Sequence, residues 1–295
     1  MASPAVEAAR HAIRAHVAAD RIAATTARAV ATFSAAFSAR LVSALRRART
    51  AREQREALLR FAASAPSTPE LLRALRGTAG DALAVGARSA GAEVGLATAG
   101  SLTAPEQRDL AARLDVYAAE TARRVRLGML QEALDVLRLN LDTPAAAANA
   151  VEAVLAGDWG NRGAPRVELA ATMTARSALS LGRMTVLRRP TSRAALPYWF
   201  FAAILDDRTS ATCVECDDTV LPAGHSWWGT HTPLLHFHCR SAIVGVTAAQ
   251  ARKLGITKDP PKVDVPEGFG RGDKLCVLDK RPSFYARELL DRVAA

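Results

Sequence analysis

Lysine is almost missing from this chain of 295 residues: every basic residue before Lys253 is arginine. Aromatic residues are scarce at 5%, and there are only four cysteines. No run of about 18 uncharged apolar residues occurs, so no membrane-spanning helix is predicted. The most apolar early stretch, Asp81 to Gly100, is interrupted by Arg88 and Glu93. The opening MASPAVEAARHAIRAHVAAD lacks a basic-then-apolar layout, which argues against a secretory signal. Four cysteines, three of them close together, do not make a disulfide framework in a chain this long, so a reducing compartment is expected. No arginine cluster is interleaved with aromatics, as a base-stacking groove would require. There is no repeat of fixed period and no helical HExxH.

What is present is 49% hydrophobic residues, enough for roughly two domains and a real core. The formal net charge is +10, with a pI near 10.2. Such an excess suits a polyanionic partner, nucleic acid or an anionic surface. A composition biased to arginine and alanine accounts for it equally well.

Composition and period make the first ~190 residues helical. Starts are marked at Thr68-Pro69-Glu70, at Thr103-Ala104-Pro105-Glu106 with capping-box spacing, and at Thr143-Pro144. The last of these helices is expected to stop near Gly157. Apolar residues at helical spacing from Leu110 to Leu141 predict an amphipathic helix broken once. Asp158 to Pro165 reads as a loop, Val167 to Leu187 as a helix ended by Pro190. The Ala/Arg-rich first ~60 residues fit a long exposed helix, an arm that orders on assembly, or part of a bundle.

From Leu196 the texture changes. Tyr198, Trp199 and Phe200 cluster, and Pro222, Gly224, Gly229 and Pro233 punctuate a loop-rich segment. Ala242 to Val246 is a short β-type run, and Thr247 to Gln250 is a capping box for a helix ending at Gly255. Lys258 to Gly272 reads as a Pro/Gly linker, and Phe284 to Val293 as a last helix. The predicted fold class is α+β: a mainly α-helical N-terminal part, then a small loop-rich α/β segment.

Cys213-Val214-Glu215-Cys216 and His236-Phe237-His238-Cys239 together spell C-x2-C-x19-H-x2-C. Each pair would hold two ligands on one tight turn, and the loop between would bring the pairs together around a tetrahedral ion. Sulfur-rich ligation favours zinc, and four protein ligands leave no open position, so Cys213, Cys216, His236 and Cys239 predict a structural Zn2+ site. His238 competes with His236 for the fourth place, and His236 has the better spacing to Cys239. His225 and His231 are read as loop residues, and Cys276 as an ordinary thiol. Structural zinc supplies roughly 10–16 kcal/mol in small modules. Because Tyr198 to Val246 has few aliphatic core residues, loss of Cys213 or Cys239 is expected to melt this segment and spare the helices.

At these residues the sequence resembles the Mu F-like family of phage head-morphogenesis, or minor head, proteins. The shared pattern runs from Leu205-Asp206-Asp207-Arg208-Thr209 through Cys213 to Cys216 and Val220-Leu221-Pro222. It then passes Trp228 and closes on Pro233-Leu234-Leu235-His236-Phe237-His238-Cys239-Arg240-Ser241. The helix around Thr174-Ala175-Arg176-Ser177 resembles the one preceding the motif. The resemblance covers roughly 103–246. Asp218 stands where glycine is frequent, His238 where asparagine is frequent, and Ser241 where many members have a second cysteine.

The resemblance implies a helical region at 1–102, a Mu F-like domain at 103–248 with zinc knuckles at 205–241, and a linker with a short helix at 249–295. It implies a protein of few copies in or near the procapsid, cytoplasmic during assembly and then in the virion head. Expected partners are portal and capsid proteins and packaged DNA, in an oligomer or assembly, with no membrane and no enzymatic activity. Arg240 would hold the turn through backbone carbonyls or through the acidic strand end at Asp206 and Asp207. Two other classes remain open. A zinc-ribbon nucleic-acid-binding protein would want basic knuckles, whereas these carry Glu215, Asp217 and Asp218. A metal-dependent nuclease or hydrolase would need an open metal position and a general base among His225 to His238.

Overall fold

The structure, a computed structural model, describes residues 4–63, 69–95, 100–139 and 141–272. Thr68, Cys276 and the last predicted helix lie outside them. The fold is α+β. Helices α1 (Pro4–Arg47), α2 (Ala51–Ala63), α3 (Pro69–Val94), α4 (Ala104–Leu137), α5 (Pro144–Trp159), α6 (Pro165–Leu187) and α7 (Pro190–Ala195) come first. Strand β1 (Tyr198–Ala202), helix α8 (Ala211–Cys216), strand β2 (Val220–Pro222), a 3-10 turn at Ser226–Gly229, strand β3 (Ala242–Val246) and helix α9 (Ala248–Leu254) follow.

The chain forms two compact units, each gathered from distant segments. One takes α1 up to Ala23, residues 77–114 and the chain from Thr172 onward; the other takes 24–76 and 115–171. The divisions fall inside α1, α3, α4 and α6.

In the second unit α1 buries Ala27, Val30, Phe33, Phe37, Leu41 and Leu45, the spacing of a single helical face. Phe37 meets Phe61 of α2 edge-on at 5.6 Å. This stretch of α1 is therefore packed, which answers the question its composition left open. Two boundaries differ from expectation, for one reason. The helix read as broken is continuous from Ala104 to Leu137, and α5 runs on to Trp159 before Gly160 caps it. Trp159 packs on Gly128, where a Cβ would stand 2.9 Å from its ring, and its indole N–H donates to Glu132 at 2.7 Å. Gly128 thus makes room for a neighbour without ending the helix.

In the first unit α3 and α6 cross in backbone contact. A Cβ on Gly86 would lie 2.1 Å from the Leu179 carbonyl oxygen, and one on Gly182 would lie 2.1 Å from that of Leu83. Next to Gly182, Arg183 of α6 reaches Glu93 of α3 at 2.6 Å, and both side chains are 2% exposed. Arg183 also donates to Ser89 Oγ and to the Ile243 carbonyl, while Glu93 accepts the Gly245 N–H at 3.1 Å. Burial pushes the Glu93 carboxyl up, and Arg183 opposes that shift.

The sheet has order β2-β1-β3, antiparallel throughout, with Trp199 opposite Leu221 and Gly245. The Arg183–Glu93 pair binds the outer margin of β3. On the outer margin of β2, Thr257 N–H donates to the Val220 carbonyl and Val220 N–H donates to Thr257 Oγ1, each at 2.9 Å. Phe200, Val220, Val244 and Val246 pack with Ala251 of α9, which the capping box at Thr247 and Gln250 starts as expected.

Candidate metal centre

Ser210 opens α8: its hydroxyl accepts the Cys213 N–H at 3.2 Å, as an N-cap should. Cys213 and Cys216 therefore lie on a short helix rather than on the tight turn read from the sequence. Cys213 Sγ is 3.1 Å from His236 Nε2 and 3.7 Å from Cys239 Sγ. The three ligand atoms lie within 4.8 Å of one another and can hold a metal ion. A tetrahedral ion with zinc bond lengths of about 2.3 Å to sulfur and about 2.0 Å to nitrogen would set sulfurs about 3.8 Å apart and sulfur and nitrogen about 3.5 Å apart. Spreading one contact by about half an ångström meets both.

Cys216 is not in this group. The Cys216 side chain is fully buried, and its thiol is pushed up to about 12, first by burial and then by Cys213 and Glu215. Of the four ligands expected, Cys213, His236 and Cys239 are the three that lie together.

His236 Nδ1 donates to the Phe237 carbonyl at 2.7 Å, which leaves Nε2 unprotonated and facing the sulfurs. Its contact with Cys213 raises its basicity. The two thiols titrate as a pair. Cys239 is drawn down to about 7, first by Cys213 and then, against burial, by hydrogen bonds from Leu235 and Ser241. Cys213 is pushed up to about 12, first by Cys239 and then by burial. One thiol ionises near neutrality, and the other keeps its proton until a cation displaces it.

The loop that carries His236 and Cys239 is fixed from several directions. Arg176 of α6 donates to the His238 carbonyl at 2.7 Å and grips Asp20 of α1 through two further nitrogens at 3.0 and 3.2 Å. Ser180 donates to the Pro233 carbonyl, and His16 Nε2 donates to the Ser241 carbonyl at 3.2 Å. Arg240 forks onto both oxygens of Asp206, the acidic strand end expected for it. That contact holds the Asp206 carboxyl well below the usual carboxylate range. Asp218 and His238 have left-handed φ of 58° and 59°, a conformation aspartate and histidine tolerate better than most residues.

His225 and His231 are occupied elsewhere. His225 Nδ1 caps the 3-10 turn, and His231 stacks on Trp227 at 4.2 Å. Among the described residues no carboxylate joins the three ligand atoms. The sequence reading named Ser241 only within the motif and missed Ser210, His16 and Asp20. Ser210 was detectable from its capping distance to Cys213, and Arg176 from its place in a helix of small and apolar residues. The contacts of His16 and Asp20 span more than 150 residues and left no local sign. Comparison with known protein families, with curated proteins and with solved structures finds no match.

Proposed function

We propose that this chain is a minor head protein of a phage, prophage or gene-transfer particle, acting in capsid assembly near the portal, with zinc as a structural ion at Cys213, His236 and Cys239. The observation that carries the reading is how the motif residues are spent. Arg240 clasps Asp206, Arg176 holds the His238 carbonyl, and two cysteines and a histidine face one another. These groups are spent on shaping a loop, which supports an assembly role. Two sulfurs and an imidazole favour zinc over magnesium or calcium.

Portal and capsid proteins are the proposed partners. Packaged DNA is a further one, supported by an open cleft of about 640 Å³ between the end of α1 and α2. Arg40, Arg47 and Arg60 line it together with Glu53, Glu56 and Phe61. Arginine forks suit phosphate. A nucleic-acid-binding protein acting outside any particle would use the same cleft, so fractionation decides between the two. Nuclease-treated, density-purified particles from the source organism are expected to contain this chain at a few copies per capsid by quantitative mass spectrometry. Its recovery only from the soluble cell fraction would overturn the head-assembly reading.

A further inference from the structure

The sulfurs of Cys213 and Cys239 belong to residues 26 apart in the chain, yet they stand 3.7 Å from each other as free thiols. A disulfide holds its sulfurs about 2.05 Å apart, so about 1.7 Å remains to be closed, which small rotations of two side chains can supply. The two thiols differ in access. Cys239 is fully buried, whereas Cys213 lines a crevice of about 10 Å³ together with Thr209, Ser210 and His236. Such a space admits about one water, or the end of a molecule little larger. One sulfur of the pair is therefore open to a small reagent, and the other is open to its partner.

We infer that Cys213 and Cys239 form an oxidation site, at which hydrogen peroxide closes the pair to a disulfide. The Cys213 sulfur attacks one peroxide oxygen: an S–O bond forms, the O–O bond breaks, and the thiol proton leaves with the hydroxide as water. The Cys239 sulfur then attacks the sulfenic sulfur: the S–S bond forms, the S–O bond breaks, and a second water leaves. Two thiols lose two electrons, and one peroxide is reduced to two waters. The new bond ties α8 to the loop that carries Cys239, the same two elements that the ion would join. A sulfur in a disulfide is no longer a thiolate ligand, so peroxide and metal compete for the pair. The inference stands on the approach of the two sulfurs and holds with or without the ion.

Hydrogen peroxide added to the full chain tests this, with a chelator present and Cys276→Ser as the background. Remaining thiols are alkylated before digestion, and the peptides are mapped by mass spectrometry. The expected product joins Cys213 to Cys239 and leaves Cys216 alkylated. Cys216→Ser is expected to form it within about twofold of the background rate. Cys239→Ser is expected to form none and to leave a sulfenic acid on Cys213 that dimedone captures. A bond between Cys213 and Cys216, or three alkylated thiols after peroxide, would overturn the inference. Glutathione disulfide, too large for the crevice, is expected to close the pair at least about tenfold more slowly, and equal rates would overturn the peroxide route. Zinc in place of the chelator is expected to slow closure about tenfold. Closure at the same rate with zinc would count against the metal reading alone, so the two failures are distinguishable.

Discussion

The helices and the segment from Tyr198 to Val246 reach order by different routes. In the helices the contribution is repetitive: alanine and leucine at every third or fourth position, each removing a little apolar surface from water. In the segment it is particular. Trp227 meets Trp228 at 4.9 Å, Trp199 meets Trp228 at 5.8 Å, and His231 lies flat on Trp227. Backbone carbonyls at Ile243, His238 and Ser241 are bound by Arg183, Arg176 and His16. A repetitive interface tolerates the loss of one member; a particular one does not. The expectation that this segment has few aliphatic core residues therefore needs amendment, since it buries Val220, Leu221, Leu234, Leu235, Ile243, Val244 and Val246 beside its aromatic rings.

The sharpest way to break the contrast is Arg183→Met. It strands Glu93 in the interior and is expected to cost about 3–5 kcal/mol in urea unfolding. Adding Glu93→Leu should recover much of that. Acid tests a second particular contact. His16 is buried, and its pKa is lowered to about 3 from 6.5, chiefly by burial and then by Arg176 and Arg183. Between those values the unfolded chain binds the proton and the folded one does not. Stability is thus intact above pH 6.5, falls by about 1.4 kcal/mol per unit as pH drops, and levels near pH 3. His16→Leu should flatten this slope in pH-dependent denaturation, and an unchanged slope would assign it to other groups.

Metal sharpens the comparison by acting on one region. At a hundredfold excess over its Kd the ion adds about 2.7 kcal/mol. Chelation, or Cys213→Ala, is expected to lower the near-ultraviolet tryptophan dichroism transition and leave the helical signal at 222 nm; identical melts of Cys213→Ala and wild type would refute this. Gly182→Ala probes the helix side, where a methyl group meets the Leu83 carbonyl, and about 1–3 kcal/mol is expected from calorimetry. Thr247→Ala removes a local cap and should cost about 1 kcal/mol in the same assay.

Much of this was legible in the sequence because it is local. The capping boxes at Thr103 and Thr247, the start at Thr143 and the strand from Ala242 to Val246 depend on neighbours a few residues away. The approach of Cys213, His236 and Cys239 was legible from spacing, since two short ligand pairs were joined by one loop. The local conformation at Cys213 and Cys216 was not legible, because spacing alone does not separate a tight turn from the helix that Ser210 caps. The Arg183–Glu93 pair and the crossing at Gly86 and Gly182 were hidden by sequence distance. Glu93 had registered only as an interruption in an apolar stretch, and the two glycines carried no periodic signal.

Both margins of the three-stranded sheet are already engaged: β3 by a buried guanidinium and carboxylate, β2 by Thr257 and by the turn in which His225 N–H and the Trp228 indole bind the Pro222 carbonyl. An open strand edge is a template on which further copies of a chain can stack into fibres. Here the template is blunted by side chains and loops that belong to the fold itself. Crowding many copies together thus offers this sheet little chance to grow by strand addition.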